Sequence, residues 1–164
     1  MCLDRRTPMN TDTNNYARIL VCDDEAHIRQ IIGRKLLGFG FHVAEARNGQ
    51  EALAMLDSGP QAGFRPDLVI TDLQMPMITG LELCQVLRRR SDTAHVPCLM
   101  LTARGYILSP DDLVQTNIRQ VISKPFGVRQ LLDRVVAILL EKSSALIPPT
   151  LNSPGEAARG PLAA

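Results

Sequence analysis

Leu68-Val69-Ile70-Thr71-Asp72-Leu73-Gln74-Met75-Pro76 reads as a strand that runs into a turn. Leu68-Val69-Ile70 is a continuous apolar run, too short for a helix and of the kind that strands buried on both faces carry. Asp72 stands where that strand ends, and Met75-Pro76 reads as a turn. The same pattern recurs along the chain. Ile19-Leu20-Val21-Cys22, Cys98-Leu99-Met100-Leu101 and the short Val121-Ile122 are further apolar runs, expected to be buried on both faces. Phe41 to Ala46 is interrupted by His42 and Glu45, which suits an edge strand.

Between the runs lie helix-period segments. Ile28, Ile31, Ile32 and Leu36 make one apolar stripe, and Val128, Leu131, Leu132, Val135, Val136 and Leu139 make the cleanest one. Asn48 is an N-cap with Glu51 three residues later, and Thr79 with Glu82 repeats the device as a capping box. Ser109-Pro110 reads as the N-cap and first residue of a short fourth helix. Five β-α pairs in strict alternation predict an α/β fold: a doubly wound, five-stranded parallel sheet, flavodoxin-like (βα)5, with strand order 2-1-3-4-5.

Composition narrows the class. The chain has 164 residues, 18 Lys+Arg against 17 Asp+Glu, and a formal net charge of +1, so it lacks the basic excess of a nucleic-acid binder. No apolar run approaches the roughly 18 residues of a spanning helix, and the start lacks the apolar stretch of a secretory signal. Aromatic residues are 4% with no Trp, so the core must be aliphatic. Cys22, Cys84 and Cys98 have apolar neighbours and form no CxxC pair; they read as reduced core thiols of a cytoplasmic protein. Residues 1–15 are polar and read as disordered. Residues 16–142 form the folded domain. Residues 143–164, with Pro148, Pro149, Pro154 and Pro161, read as a disordered tail. About 22 residues after the last helix fall short of the roughly 50 an independent output domain needs, so a stand-alone module without a DNA-binding domain is expected.

Parallel strands end at one edge of the sheet, and ligands bind in the crevice outside those ends. Asp23 and Asp24 follow the first strand, Asp72 the third, Thr102 the fourth and Lys124 the fifth. Three close carboxylates repel and raise one another's pKa unless a cation sits among them. Hard oxygen donors with room for water favour Mg²⁺. Three carboxylates, one ammonium and one Mg²⁺ sum to zero charge, so the set can hold an incoming phosphoryl group without large repulsion. Phosphoryl transfer asks mainly for position and neutralisation. Aspartate is a competent nucleophile for it, and the Thr102 hydroxyl can donate to a phosphoryl oxygen.

Asp23-Asp24, Ile70-Thr71-Asp72-Leu73-Gln74-Met75-Pro76, Leu101-Thr102-Ala103 and Ser123-Lys124-Pro125-Phe126 together resemble the motifs of the response-regulator receiver domain. The resemblance covers about Arg18 to Leu140. It implies a single-domain response regulator of the two-component phosphorelay. In such a protein Asp72 accepts a phosphoryl group autocatalytically from a phosphohistidine, and there is no turnover of a substrate. It also implies that Asp24, Asp72 and the backbone carbonyl of Gln74 ligate Mg²⁺ with Asp23 nearby or through water. Lys124 then contacts the phosphoryl oxygens, and Lys124-Pro125 is a cis peptide. The implied partner is a histidine kinase or histidine phosphotransfer protein, docked on a surface including Ala26, Arg29, Gln30, Pro125 and Phe126. An unidentified protein is the downstream target, and the chain is a monomer or weak dimer with no membrane contact.

The chain departs from the family in places. Three residues before the lysine the family carries Tyr, Phe or His, which swings inward on activation; this chain has Val121, which cannot. Tyr106 lies in the loop after Thr102 as a possible substitute. The small residues before the fifth strand are replaced by Asn117-Ile118, where Asn tolerates a left-handed turn. Val121 motivates a second hypothesis, a phosphorylation-independent adaptor of the same fold. A third, an aspartate-nucleophile phosphatase, fails on Gln74, which stands where a general acid is required.

Blander readings compete for single motifs. Asp23-Asp24 alone is compatible with an N-cap pair for the first helix. Arg88-Arg89-Arg90 reads as a solvated helix end facing the negative dipole terminus. His27, His42 and His95 are scattered and make no metal set. Gly38-Phe39-Gly40 precedes a strand and completes no dinucleotide-binding fingerprint.

Overall fold

The computed structural model describes residues 16–58, 63–103, 105–148 and 151. In chain order the elements are β1 (Arg18–Cys22), α1 (Ala26–Gly38), β2 (His42–Ala46), α2 (Gly49–Asp57), β3 (Leu68–Asp72), α3 (Gly80–Arg89), β4 (Cys98–Thr102), α4 (Pro110–Val114), β5 (Ile118–Ser123) and α5 (Val128–Lys142). A short 3-10 helix, Ser144–Leu146, follows. The strands form one parallel sheet in the order β2-β1-β3-β4-β5, as the alternation predicts.

Strand periodicity divides the core into two layers. Ile19 and Val21 of β1, Ile70 of β3 and Leu99 and Leu101 of β4 pack with Ile32 and Leu36 of α1 and Leu131, Val135 and Leu139 of α5. The alternate residues Leu20, Cys22, Val69, Cys98 and Met100 pack on the other side with Ala52 and Leu56 of α2 and Leu83 and Leu87 of α3. β1, β3 and β4 are thus covered on both faces, which is why they read as unbroken apolar runs. Cys22, Cys84 and Cys98 are free thiols buried in the second layer.

Helix starts follow the capping signals. Asn48 Oδ1 accepts from the Glu51 amide at 2.8 Å. Thr79 with Glu82 and Ser109 with Asp112 form full capping boxes. α1 starts differently: its N-cap is Glu25, with no side-chain cap bond, so Asp23-Asp24 does not cap that helix. At the end of α3, Arg90 pairs with Asp57 at 2.7 Å and Asp92 at 3.1 Å, tying α3 to the end of α2.

Four expectations need correction. The run Val121-Ile122 is not buried on both faces: β5 is an edge strand, and while Ile122 is buried, Val121 is 40% exposed. Ile31 is not a core residue of the α1 stripe but 41% exposed. Asn117 adopts no left-handed turn; Met77 is the non-glycine residue with positive φ among the described residues. Instead Asn117 Nδ2 donates to the Val96 carbonyl and its Oδ1 accepts from the Cys98 thiol. Finally, the disordered tail does not begin at Ser143. Leu146 and Leu151 pack on the first core layer, Ile147 is 3% exposed within it, and the Ala17 amide donates to the Leu146 carbonyl at 2.8 Å. The apolar pair Leu146-Ile147 offsets the prolines around it. Residues 1–15 and 152–164 lie outside the described residues.

Candidate functional site

The carboxyl ends of the strands bring Asp23, Asp72, Thr102 and Lys124 to one edge of the sheet. Asp72 is the last residue of β3, and the backbone of Leu73 directly after it is fixed on two sides. The Leu73 amide donates to Leu101 of β4 at 2.8 Å, and the Gly80 amide donates to Leu73 at 2.9 Å. Gly80 carries no Cβ because one would collide with the Asp72 carbonyl oxygen. Sequence reasoning missed this glycine; its position directly after the Thr79 cap was the available signal. The Lys124 amide donates to the Thr102 carbonyl at 2.7 Å, which seats the lysine beside β4. The Lys124-Pro125 peptide is cis.

Lys124 Nζ joins the carboxylates, 2.9 Å from Asp72 Oδ1 and 3.1 Å from Asp23 Oδ2. It also lies 3.5 Å from Glu25 Oε1 at the rim. Asp72 Oδ2 accepts from the Gln74 amide at 2.8 Å, and Asp23 Oδ1 accepts from the Glu25 amide at 2.9 Å. Asp23 is fully buried and Asp72 is 5% exposed. Burial, reinforced by Asp72, pushes the Asp23 carboxyl above the usual carboxylate range despite Lys124 and the Glu25 amide. Burial works to lower the Lys124 pKa, but its hydrogen bonds to Asp72 and Asp23 outweigh that and hold the ammonium firmly charged.

Asp24 is exposed beside this group. Among the described residues no three His, Cys, Asp or Glu side chains gather into a metal-holding set. The donor chemistry nonetheless suits a hard divalent cation. Among the described residues two buried carboxylates face a single ammonium, which leaves an excess negative charge with Asp24 and Glu25 adding to it at the rim. The Thr102 hydroxyl is buried and has no hydrogen-bond partner, an orphan that an acceptor oxygen entering the crevice would satisfy.

The expected docking surface changes in one member. Ala26, Gln30 and Pro125 are exposed and Phe126 is half-buried, but Arg29 is 9% exposed. Its Nη1 donates to the Asp23 carbonyl at 2.7 Å. Beside the site a cleft of about 550 Å³ runs between α1 and α5, lined by Ile28, Ile31, Lys124, Pro125, Phe126 and Leu131 among others. No helix among the described residues is long and apolar enough to cross a membrane.

The response regulator receiver domain family model matches residues 19–136. The alkaline phosphatase synthesis transcriptional regulatory protein SphR of Synechococcus elongatus is 39% identical over 127 residues, covering 75% of this chain and 49% of SphR. The probable transcriptional regulator ycf27 of Guillardia theta is 32% identical over 147 residues, covering 90% of this chain and 55% of ycf27. The chain therefore spans about half the length of the curated relatives it matches. Among solved structures, the chemotaxis response regulator CheY4 of Vibrio cholerae aligns with a TM-score of 0.66 and 30% identity, covering 75% of this chain and 98% of CheY4. TrrA of Thermotoga maritima, solved in complex with Mg(2+)-BeF, aligns with a TM-score of 0.62 and 32% identity, covering 74% of this chain and 98% of TrrA. Matched through its sheet and through the strand ends that carry Asp23, Asp72, Thr102 and Lys124, the chain belongs to the family of response regulator receiver domains.

Proposed function

We propose that this chain is a phosphoacceptor module of two-component signalling, with Asp72 as the acceptor. A carboxylate oxygen of Asp72 attacks the phosphorus of a phosphohistidine. The new P–O bond forms as the P–N bond breaks, and the imidazole leaves with a proton from solvent. One observation carries this reading: Lys124 Nζ sits 2.9 Å from Asp72 Oδ1, inside a crevice whose buried acids outnumber its cation. Lys124 is a mobile counter-charge that can follow the phosphoryl oxygens, and Thr102 supplies the hydroxyl donor. Asp23, Asp24, Asp72 and the Gln74 carbonyl are the groups to hold Mg²⁺. When bound, the ion supplies the remaining positive charge for the transfer.

The partner is a histidine kinase or histidine phosphotransfer protein, seated on the apolar cleft between α1 and the loop after β5, whose rim includes Lys124. Output is by protein contact with a downstream target. A second reading has its own support. Val121 stands 40% exposed where an aromatic switch is expected, which favours an adaptor whose contacts ignore phosphorylation.

Intact-protein mass spectrometry after incubation with a small phosphodonor and Mg²⁺ tests the main reading. One added phosphoryl group is expected, absent in Asp72→Asn and without Mg²⁺. No addition to the folded protein would refute phosphoacceptance and leave the adaptor.

A further inference from the structure

Asp23 is held at every polar atom. Its amide donates to Ala46 of β2 at 3.2 Å. Its carboxylate takes the Glu25 amide and Lys124. Its carbonyl takes Arg29 Nη1 at 2.7 Å. Arg29 projects from α1 yet is only 9% exposed, and its Nε lies 3.5 Å from Glu45 Oε2 on β2. Glu45 in turn lies against α1 at a glycine. A Cβ on Gly33 would collide with Glu45 Oε1 and come within 3.1 Å of Glu45 Cδ. Glycine inside a 13-residue helix is unfavourable relative to alanine. Here its missing side chain makes room for a carboxylate. A buried guanidinium needs a counter-charge, and its planar fork holds direction once paired.

We infer that Gly33, Glu45 and Arg29 form a clamp that positions the Asp23 loop for the cation and phosphoryl chemistry proposed above, a reading on which this inference rests. Gly33 seats Glu45, Glu45 orients Arg29, and Arg29 fixes the Asp23 carbonyl. Arg29 and Glu45 are positioning residues acting through Asp23. Removing an outer partner of this kind weakens metal binding about tenfold.

Gly33→Ala separates positioning from stability. The atom it would strike is the far end of a flexible side chain, so Glu45 can swing away while the helix gains a better helix former. Calorimetric titration with Mg²⁺ alone should give dissociation constants raised about tenfold in Gly33→Ala and in Glu45→Ala, with the thermal midpoint of Gly33→Ala falling less than that of Glu45→Ala because the better helix former offsets part of the lost ion pair. The double variant should be no worse than either single one, because the glycine acts through the glutamate. Hydrogen exchange at the Glu25 amide, which donates to Asp23, reads the loop without any cation and should quicken several-fold in both variants. Wild-type Mg²⁺ affinity and wild-type exchange in both variants would overturn the clamp, as would additive effects in the double variant. If the wild-type chain itself fails to bind Mg²⁺ and to accept a phosphoryl group, the functional reading falls, and Glu25 exchange alone decides the clamp.

Discussion

Among the described residues, Lys124 is the cation on which two buried carboxylates lean. Removing it leaves Asp23 and Asp72 with one backbone amide each and without that counter-charge, the costly way to break a buried pair. Because the lysine side chain is 20% exposed, water screens part of this. Lys124→Ala is expected to lose about 2–3 kcal/mol in urea unfolding. Adding Asp72→Asn to that variant should return part of the loss, since only one buried charge then remains. A surface lysine would show neither effect. Glu51 gives a pH test at the same scale. The Arg47 amide, then its guanidinium, lower the Glu51 carboxyl below its ordinary value near 4.5. A depressed folded pKa stabilises above the unfolded value and ceases to do so as pH falls through the folded one. Glu51→Gln should therefore cost about 0.5 kcal/mol at pH 7, and the gap should close below pH 4.5 as the wild-type glutamate protonates.

Elements differ in how plainly their sequences announce them. β1, β3 and β4 were legible because helices cover both faces and make the middle of each strand an unbroken apolar run. β5 was legible only in part. An edge strand mixes exposed Arg119 and Val121 with buried Ile118 and Ile122, and a two-residue apolar run cannot reveal that its neighbour is solvent. The strand-end acids and Lys124 were readable because topology alone delivers them to one edge. Arg29 was not: on a helical wheel it is one more polar residue, and its burial depends on Glu45 and Gly33, which belong to other parts of the pattern. The segment after α5 misled for the opposite reason. Its prolines masked three apolar side chains, Leu146, Ile147 and Leu151, that complete the first core layer. Ile147→Ala should accordingly destabilise by about 2–3 kcal/mol in thermal or urea unfolding, the lower part of the range for truncating a buried aliphatic side chain. A disordered tail would show no change.

At the scale of the molecule, the surface to which the site can be coupled lies around α4 and β5. α4 has five residues and buries none of them, and the exposed apolar side chains Ile107, Leu113, Val114 and Val121 lie on or near it and β5. If phosphorylation is coupled to this face, a phosphoryl mimic at Asp72 should change the affinity of a downstream partner by about 1–3 kcal/mol, read by titration with and without the mimic. Equal affinities would identify the adaptor. The contact between Ala17 and Leu146 has a different consequence. It draws the start of the first strand and the segment after the last helix together at the pole opposite the acids, so the described chain is nearly a closed ring. Joining those neighbours and reopening the ring at an exposed loop such as that of Gly105 would preserve the sheet's neighbours and their register. A permuted chain that folds and keeps the site would show that adjacency of the strands, rather than the order in which they are synthesised, encodes the arrangement of Asp23, Asp72 and Lys124.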